Sequence, residues 1–296
     1  MKIKQVFYSS FFVIFFFTFF SCCDEIDMPY QTKGKIDSTG SNVVRKVLLE
    51  DYTGHTCGNC PRAAESAESL RQIYGDKLVI MGVHVGFFAE PCPPHPRPAG
   101  SPTGSFAADY RTTTGDAYNS FFAVDGPGLP QGMVNRIGYP TTSHIKSYSD
   151  WGSVISGIIN TAPDADIEIT NTYNSGTRTL NTSVKTTFLN SLSGSYKLAV
   201  LITQDSIIDW QLDYSLIPDY IQNYVHRHVL RGAINSEWGD SLNTSNGSIS
   251  VGDSISKSYT NYVVNPLWDD SKCSVVAFIY DSSTYEVIQA EEKKIK

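Results

Sequence analysis

Residues 49–63 read LEDYTGHTCGNCPRA and place two cysteines, Cys57 and Cys60, at a change in sequence pattern. The stretch 43–52 (VVRKVLLEDY) is rich in β-branched and aliphatic residues, which predicts a buried strand. After the second cysteine, apolar residues recur on one helical face: Ala63, Ala67, Leu70 and Ile73/Tyr74. We therefore expect the cysteine pair to lie where a strand is followed by a helix that ends at Gly75.

This position favours reactive thiol chemistry. A thiol at a helix N-terminus faces unpaired backbone N–H groups and the positive end of the helix dipole, which stabilise its thiolate. Cys57 is the candidate nucleophile and is expected to be solvent-exposed. Cys60 is the candidate resolving thiol, which closes a disulfide and releases a bound partner. The pair predicts thiol–disulfide exchange without a cofactor, and a structural disulfide is the alternative.

The segments that follow continue the alternation of strands and helices. A second buried strand is predicted over 78–86, a helix within 106–122, an extended stretch over 128–137 and a helix over 150–160. Such alternation is typical of an α/β layer structure. We expect residues 43–163 to form this α/β domain.

Beyond residue 165 the pattern changes to short β-type runs separated by turns rich in Gly, Asn, Asp and Ser. The predicted strands are 166–171, 177–189, 195–203, 225–231, 254–264, 274–280 and 285–291. Short strands with alternating faces indicate an antiparallel, Ig-like β-sandwich over 164–296. Within the fourth run, His226 and His228 fall on one strand face, where packing or hydrogen bonding is a better interpretation than metal binding.

The N-terminus has the features of an export signal. Two lysines precede an apolar run, FFVIFFFTFF at 11–20, which is shorter than the roughly 18 residues expected of a membrane-spanning helix. Ser21 then precedes Cys22, the pattern cut by lipoprotein signal peptidase. Residues 1–21 are therefore predicted to be a signal peptide and Cys22 the lipidated N-terminus, and an ordinary secretory signal is the alternative. Residues 22–42 are polar and lack periodicity, which indicates a flexible tether.

The charge of the chain limits its partners. Removing residues 1–21 takes away two of the 23 basic side chains and none of the 30 acidic ones, which leaves 21 against 30 and a net charge of −9. Nucleic acids and anionic membrane surfaces bind clustered positive charge, so neither is expected to bind the folded body. Contact with the membrane is expected through the lipid at Cys22.

The opening stretch resembles the thioredoxin sequence of strand, buried acid, short turn and a CGxC motif that opens a helix. The resemblance assigns Asp51 as the acid that relays a proton from Cys60. It also assigns Pro130, in GLPQGMVNR, as the cis-proline that faces the cysteines, and Leu129 would present its backbone to a bound peptide as an added strand. Thr56 stands where thioredoxin has tryptophan, so we expect it to contact the substrate and to alter substrate choice.

Six blocks along the chain resemble, in matching order, the outer-membrane-protein-twenty-eight-related lipoproteins. They are LLEDYTGHTCGNCPRAAE, DYRTTTGDAYNSFF, GLPQGMVNR, LAVLITQDSIIDWQ, YVHRHVLRGAINSEWG and VVAFIYDSSTYEVIQAEE. The resemblance implies a thioredoxin-like N-terminal domain and a β-rich C-terminal domain on a surface-exposed or outer-membrane lipoprotein. It implies little about activity, so a binding or adhesion lipoprotein with a structural disulfide is the alternative to an exchange enzyme.

A second motif raises a rival chemistry. Cys92 and His95, in CPPH, extend the first pair to C-x2-C-x31-C-x2-H, a ligand set that suits tetrahedral zinc. An exported protein meets oxidants that consume the thiolates such a site needs, so we expect Cys57 and Cys60 to pair with each other and no metal to bind. Cys92 and Cys273 are then either an interdomain disulfide or two unpaired thiols.

Overall fold

The structure is a computed structural model, and it describes residues 35–36, 42–243 and 248–296. All of these belong to one unit, Thr32–Lys296. The predicted signal peptide 1–21, the lipidation site Cys22 and most of the predicted tether 22–42 lie outside the described residues. Within the described part of the chain, no helix has the length and hydrophobicity needed to span a bilayer.

The described elements follow one another in this order. The strands are β1 Lys35–Ile36, β2 Asn42–Val43, β3 Val47–Thr53, β4 Leu78–His84, β5 Gln131–Val134, β6 Ala165–Asn174, β7 Thr179–Phe188, β8 Leu192–Ser193, β9 Tyr196–Gln204, β10 Ile207–Leu212, β11 Tyr220–His226, β12 Val229–Ala233, β13 Asp240–Ser241, β14 Ser248–Ile249, β15 Ser254–Val263, β16 Cys273–Asp281 and β17 Val287–Lys294. The helices are α1 Cys60–Tyr74, α2 Thr113–Phe122 and α3 Tyr148–Ile158, with short 3₁₀ turns at Gly75–Lys77, Phe87–Ala89, Thr142–His144 and Asp270–Lys272.

Helix α1 follows from its sequence. Pro61 lies in the first turn, where its missing N–H costs no hydrogen bond. Ala63, Ala67 and Leu70 form the buried face, as the apolar spacing predicts, but Ile73 of the predicted face is exposed. The helix ends before Gly75, which adopts a φ of 57° that side-chain-bearing residues rarely tolerate.

A large mixed sheet joins the two halves of the sequence. Its strand order is β17-β16-β9-β12-β4-β3-β5, and β13 also pairs with β9. β3 and β4 run parallel, with Asp51 beside Gly82, and β5 is antiparallel to β3. β12 pairs in parallel with β4 at Val229 and antiparallel with β9. The β4 edge, which would otherwise expose unpaired backbone groups, is thereby covered by a strand from the second half of the chain.

Apolar cores cover both faces of this sheet. On one face α2 packs over a core that includes Tyr52 and Phe278. On the other face α1 and α3 cover β3, β4 and β5. Beside them, an antiparallel sheet in the order β15-β7-β6 covers β9 and β16. Successive side chains of β16 alternate between the two faces, so Phe278 enters the first core and Ala277 the last.

The fold class is confirmed at a coarse level, because the protein is β-rich with three α-helices among its described residues and has mixed and antiparallel sheets. The arrangement differs from a separate antiparallel sandwich over 164–296. β9, β12, β16 and β17 belong to the sheet that contains β3, β4 and β5, while β6, β7 and β15 form the facing sheet. Period-two alternation predicts strands but not their partners, so the pattern did not show that 43–163 and 164–296 share one sheet.

A hairpin was missed by the sequence pattern. β10 and β11 pair antiparallel, with Ile208 beside Val225. The predicted strand 225–231 is wrong as a single element, because His228 adopts a φ of 51° and separates β11 from β12. His226 ends one strand and His228 lies in the break, so they do not share one strand face as predicted.

Candidate functional site

Cys57 and Cys60 form a disulfide, with their Cα atoms 5.4 Å apart. The pair lies between β3 and α1, as the sequence predicts. The helix begins at Cys60, and Cys57 lies in the preceding turn, where its N–H donates to the carbonyl oxygen of Gly54 at 3.0 Å. Only 3% of Cys57 and 2% of Cys60 are exposed, so the prediction of a solvent-exposed Cys57 is wrong.

The end of β10 and the residues after it bury the disulfide. Nε2 of Gln211 donates a hydrogen bond to the carbonyl oxygen of Cys57 at 3.0 Å. The N–H of Tyr214 donates to the carbonyl oxygen of Gly58 at 3.0 Å, and the Tyr214 ring lies so close that a Cβ on Gly58 would meet it at 2.5 Å. We call residues 211–214 the cover segment. It comes more than 150 residues after the cysteines, and sequence reasoning missed it because no local pattern links the two.

Asp51 is buried on the sheet face that α1 covers. Its side chain is 5% exposed, and Oδ1 has no hydrogen-bond partner among the described residues. Burial disfavours the carboxylate and raises the pKa of Asp51 from 3.8 to about 7. A carboxyl group with this pKa can accept and release a proton near neutral pH.

A cavity of about 240 Å³ lies between this sheet face, α1 and β11. Asp51 and His84 line it from the sheet, Cys60 and Ala64 from α1, and His226 from β11. The cavity therefore has one cysteine of the disulfide, the buried acid and two histidines around a common space.

His84 and His226 were not predicted as site residues. Their ring centroids are 5.6 Å apart. Burial lowers the pKa of both, that of His226 to about 4, so both are neutral at pH 7. Neither ring nitrogen of His84 has a hydrogen-bond partner within the described part of the chain. The sequence signal was a histidine closing the apolar strand LVIMGVH.

Neighbouring contacts agree with the packing and hydrogen-bonding interpretation of His226 and His228. Nε2 of His226 lies 3.3 Å from the carbonyl oxygen of Trp210. Nε2 of His228 lies 3.1 Å from Oε1 of Glu68 on α1. His228 therefore connects the break between β11 and β12 to the helix that carries Cys60.

The remaining predicted site residues have these positions. The Leu129–Pro130 peptide bond is cis, and β5 begins at the next residue beside β3. Leu129 is half-buried against the core that contains α2. The Thr56 hydroxyl is buried and donates to the carbonyl oxygen of Phe88 at 2.9 Å. Substrate contact by Thr56 and Leu129 stays a prediction.

Cys92 and Cys273 are separate free thiols, both buried. Burial raises the pKa of each, that of Cys273 to about 11, so neither is a thiolate at neutral pH. Sγ of Cys92 lies 3.6 Å from Nδ1 of His95. Cys57 and Cys60 are bonded to each other, and no group of three metal-binding side chains comes together among the described residues. The C-x2-C-x31-C-x2-H motif therefore does not assemble as one ligand set.

A buried ion pair on the opposite sheet face was also missed. Arg136 donates two hydrogen bonds of 2.9 Å to Glu50, and both side chains are fully buried. The guanidinium lies 4.6 Å from the ring centre of Tyr118 and 4.8 Å from that of Phe122. These contacts compensate the buried charge by pairing and by cation–π attraction, while Nη1 of Arg136 has no hydrogen-bond partner among the described residues. They indicate a structural role in fixing the end of β5 to β3.

The fold and site define a β-rich protein with mixed and antiparallel sheets and a covered CxxC disulfide. The chain belongs to the Omp28 family, because the family model described as outer membrane protein Omp28 matches residues 115–296. This membership confirms the outer-membrane location expected from the sequence. The matched range contains the cover segment but not the cysteine pair, so the family match carries no information about the disulfide.

Solved structures resemble this chain to different degrees. HBP35 of Porphyromonas gingivalis is 16% identical with a TM-score of 0.55, over 85% of this chain and 76% of that chain. A protein of Agrobacterium tumefaciens is 11% identical with a TM-score of 0.47, over 86% of this chain and 97% of that chain. A domain of the outer membrane lipoprotein Omp28 from Porphyromonas gingivalis is 21% identical with a TM-score of 0.30, over 46% of this chain and 91% of that chain. The first similarity supports a related fold. No curated protein matches the sequence.

Proposed function

We propose that this chain is an outer-membrane thiol–disulfide exchange protein, in which Cys57 and Cys60 alternate between a disulfide and a dithiol. The observation that carries the proposal is Asp51, a buried carboxyl group without a partner for Oδ1, in the cavity that Cys60 lines. Burying such a group costs stability, and a disulfide that only crosslinks the chain does not need it. A proton carrier does need it.

The residues divide the work as follows. When the disulfide is reduced, the Cys60 thiolate that results takes the proton held by Asp51. When the dithiol is oxidised, the Asp51 carboxylate accepts the proton of Cys60 and so forms the reactive thiolate. Because the pKa of Asp51 is about 7, its carboxyl group can both donate and accept this proton near neutral pH. Electrons move only between sulfur atoms, so the exchange uses no cofactor.

The local topology supports a thioredoxin-like arrangement. β3 lies between parallel β4 and antiparallel β5, the CxxC turn leads from β3 into α1, and the cis peptide at Pro130 precedes β5. We assign Pro130, Leu129 and Thr56 to the substrate side of the site by this resemblance. A lipid at Cys22 would hold the body on the outer membrane.

A second candidate function rests on the burial of both sulfur atoms under the cover segment. Here the disulfide is structural, and the protein is a surface lipoprotein that binds a ligand elsewhere. The two functions predict different redox behaviour, because a structural disulfide in an exported protein has a potential below about −300 mV.

The deciding experiment is the equilibrium of the Cys57–Cys60 pair in defined thiol buffers, read by mass after alkylation. We expect a potential above about −300 mV, and at least tenfold slower exchange at pH 7 for Asp51→Asn. Glu65→Gln removes an exposed carboxylate from the rim of the same cavity and should exchange like wild type. A potential below that limit, with Asp51→Asn exchanging at the wild-type rate, would establish the structural disulfide instead.

A further inference from the structure

The two cysteines of the disulfide are both buried, but they have different surroundings. On the Cys57 side, the cover segment forms backbone hydrogen bonds with the CxxC turn. The N–H of Leu212 donates to the carbonyl oxygen of His55 at 2.8 Å, and the N–H of Tyr214 donates to the carbonyl oxygen of Gly58. A peptide substrate docks on such a turn through its backbone, in the manner of an added strand. Here the cover segment already forms the backbone hydrogen bonds that a docked peptide would need.

The Cys60 side faces the cavity instead. Among the described residues that line it, Cys60 is present and Cys57 is not. Its rim includes the exposed residues Glu65, Val225 and Arg227, so the cavity opens to solvent between α1 and β11. A molecule that enters at this rim comes to lie beside Cys60 and not beside Cys57.

The cavity walls specify what can enter. A volume of about 240 Å³ is below the roughly 300–1,000 Å³ of sites for drug-sized ligands, so a folded protein or an extended peptide does not fit. Inside, both ring nitrogens of His84 and Oδ1 of Asp51 are buried without partners among the described residues. These atoms are shut off from the cavity surface, and the lining also carries charges of both signs at Glu65, Glu68 and Arg227, so size is what limits the occupant.

We infer that the exchange partner is a small thiol, or its disulfide, and that it attacks at Cys60 from the cavity. This inference rests on the proposed thiol–disulfide exchange and names its substrate class. It reverses the order expected from the sequence, in which Cys57 meets the partner.

The step balances in atoms and electrons. The Asp51 carboxylate takes the proton of the entering thiol, whose sulfur attacks Sγ of Cys60. The Cys57–Cys60 bond breaks, and Cys57 leaves as a thiolate. A second small thiol gives its proton to Cys57 and attacks the sulfur of the first, which releases the small disulfide. The Cys60 thiolate then takes the proton from Asp51. Two small thiols are oxidised, and one protein disulfide is reduced.

The test compares two reductants of the oxidised full chain at equal thiolate concentration: 2-mercaptoethanol and a ten-residue peptide with one cysteine. We expect 2-mercaptoethanol to reduce the disulfide at least tenfold faster. Ala64→Phe, which fills the cavity from α1, should slow 2-mercaptoethanol at least tenfold. Ser69→Phe adds the same ring to an exposed position of α1 and should not slow it. If Ala64→Phe does not fold, Val225→Phe, which narrows the rim, replaces it as the variant that should slow 2-mercaptoethanol.

A second readout identifies the sulfur that reacts. In Cys57→Ser, the Cys60 thiol should form a mixed disulfide with hydroxyethyl disulfide, located by peptide mass, at least tenfold faster than the Cys57 thiol does in Cys60→Ser. Tyr214→Ala should accelerate the peptide and leave 2-mercaptoethanol unchanged, because it opens only the Cys57 side.

The outcomes separate the two proposals. The inference is overturned if the peptide reduces the disulfide fast, if Ala64→Phe does not slow reduction, and if the modification is found at Cys57. The exchange function is not contradicted by that outcome. If neither reductant reduces the folded protein, while both reduce the urea-unfolded chain, the exchange function itself is overturned.

Discussion

Replacing Asp51 by asparagine should stabilise the protein above pH 7. Asparagine has nearly the same shape and cannot ionise. In the wild type, burial raises the pKa of Asp51 from 3.8 to about 7. At 1.36 kcal/mol per unit of pKa, a difference of about 3 makes the buried carboxylate about 4 kcal/mol less stable than an exposed one. Asparagine removes this cost.

The sign and the pH range follow from proton linkage. Between about pH 4 and pH 7, folded Asp51 keeps its proton and unfolded Asp51 has lost it, so the free energy of unfolding falls as the pH rises. Above about pH 7, Asp51 is ionised in both the folded and the unfolded state, and the free energy of unfolding falls no further on its account. Other titratable groups around the cavity (His84, His226, Tyr224 and Glu68) are common to both proteins. Their contributions cancel in the difference between variant and wild type, apart from their coupling to Asp51.

Urea unfolding of the oxidised proteins from pH 4 to pH 9, followed by circular dichroism, measures this difference. We expect it to be near zero at pH 4 and to reach about 3–4 kcal/mol in favour of Asp51→Asn at pH 8. The control Glu65→Gln changes an exposed carboxyl group and should stay within about 0.5 kcal/mol of wild type throughout. A difference for Asp51→Asn that does not vary with pH would refute the reasoning.

Further predictions concern other parts of the molecule. Glu50→Gln should lower the free energy of unfolding by about 3–5 kcal/mol, because Arg136 stays buried without its carboxylate; a loss below about 1 kcal/mol in urea unfolding would contradict this. Gly58→Ala should displace the Tyr214 ring and speed alkylation of Cys57 in the reduced protein several-fold, whereas an unchanged rate would argue against the ring as a cover. The intact mass of membrane-extracted protein should correspond to an acylated chain beginning at Cys22, and an unmodified chain with another start would rule the anchor out.

The sequence by itself determined the elements whose causes are local. α1 begins at the cysteine pair and ends before Gly75, because its apolar spacing and the glycine act within a few turns. The cis peptide before Pro130 and the burial of Asp51 in β3 agree with what the resemblance to thioredoxin implies. These features depend on neighbours in the chain, and similarity to known motifs could reveal them.

Only the tertiary structure decided how those elements are used. Gln211 reaches the carbonyl of Cys57 across 154 positions of sequence. The pairing of β12 with β4 and the break at His228 place His226 against His84. Strand periodicity encodes which side chains face a core but not which strand lies alongside. The cover over Cys57 and the cavity beside Cys60 arise from such long-range pairing, and so does the access that decides the chemistry of the disulfide.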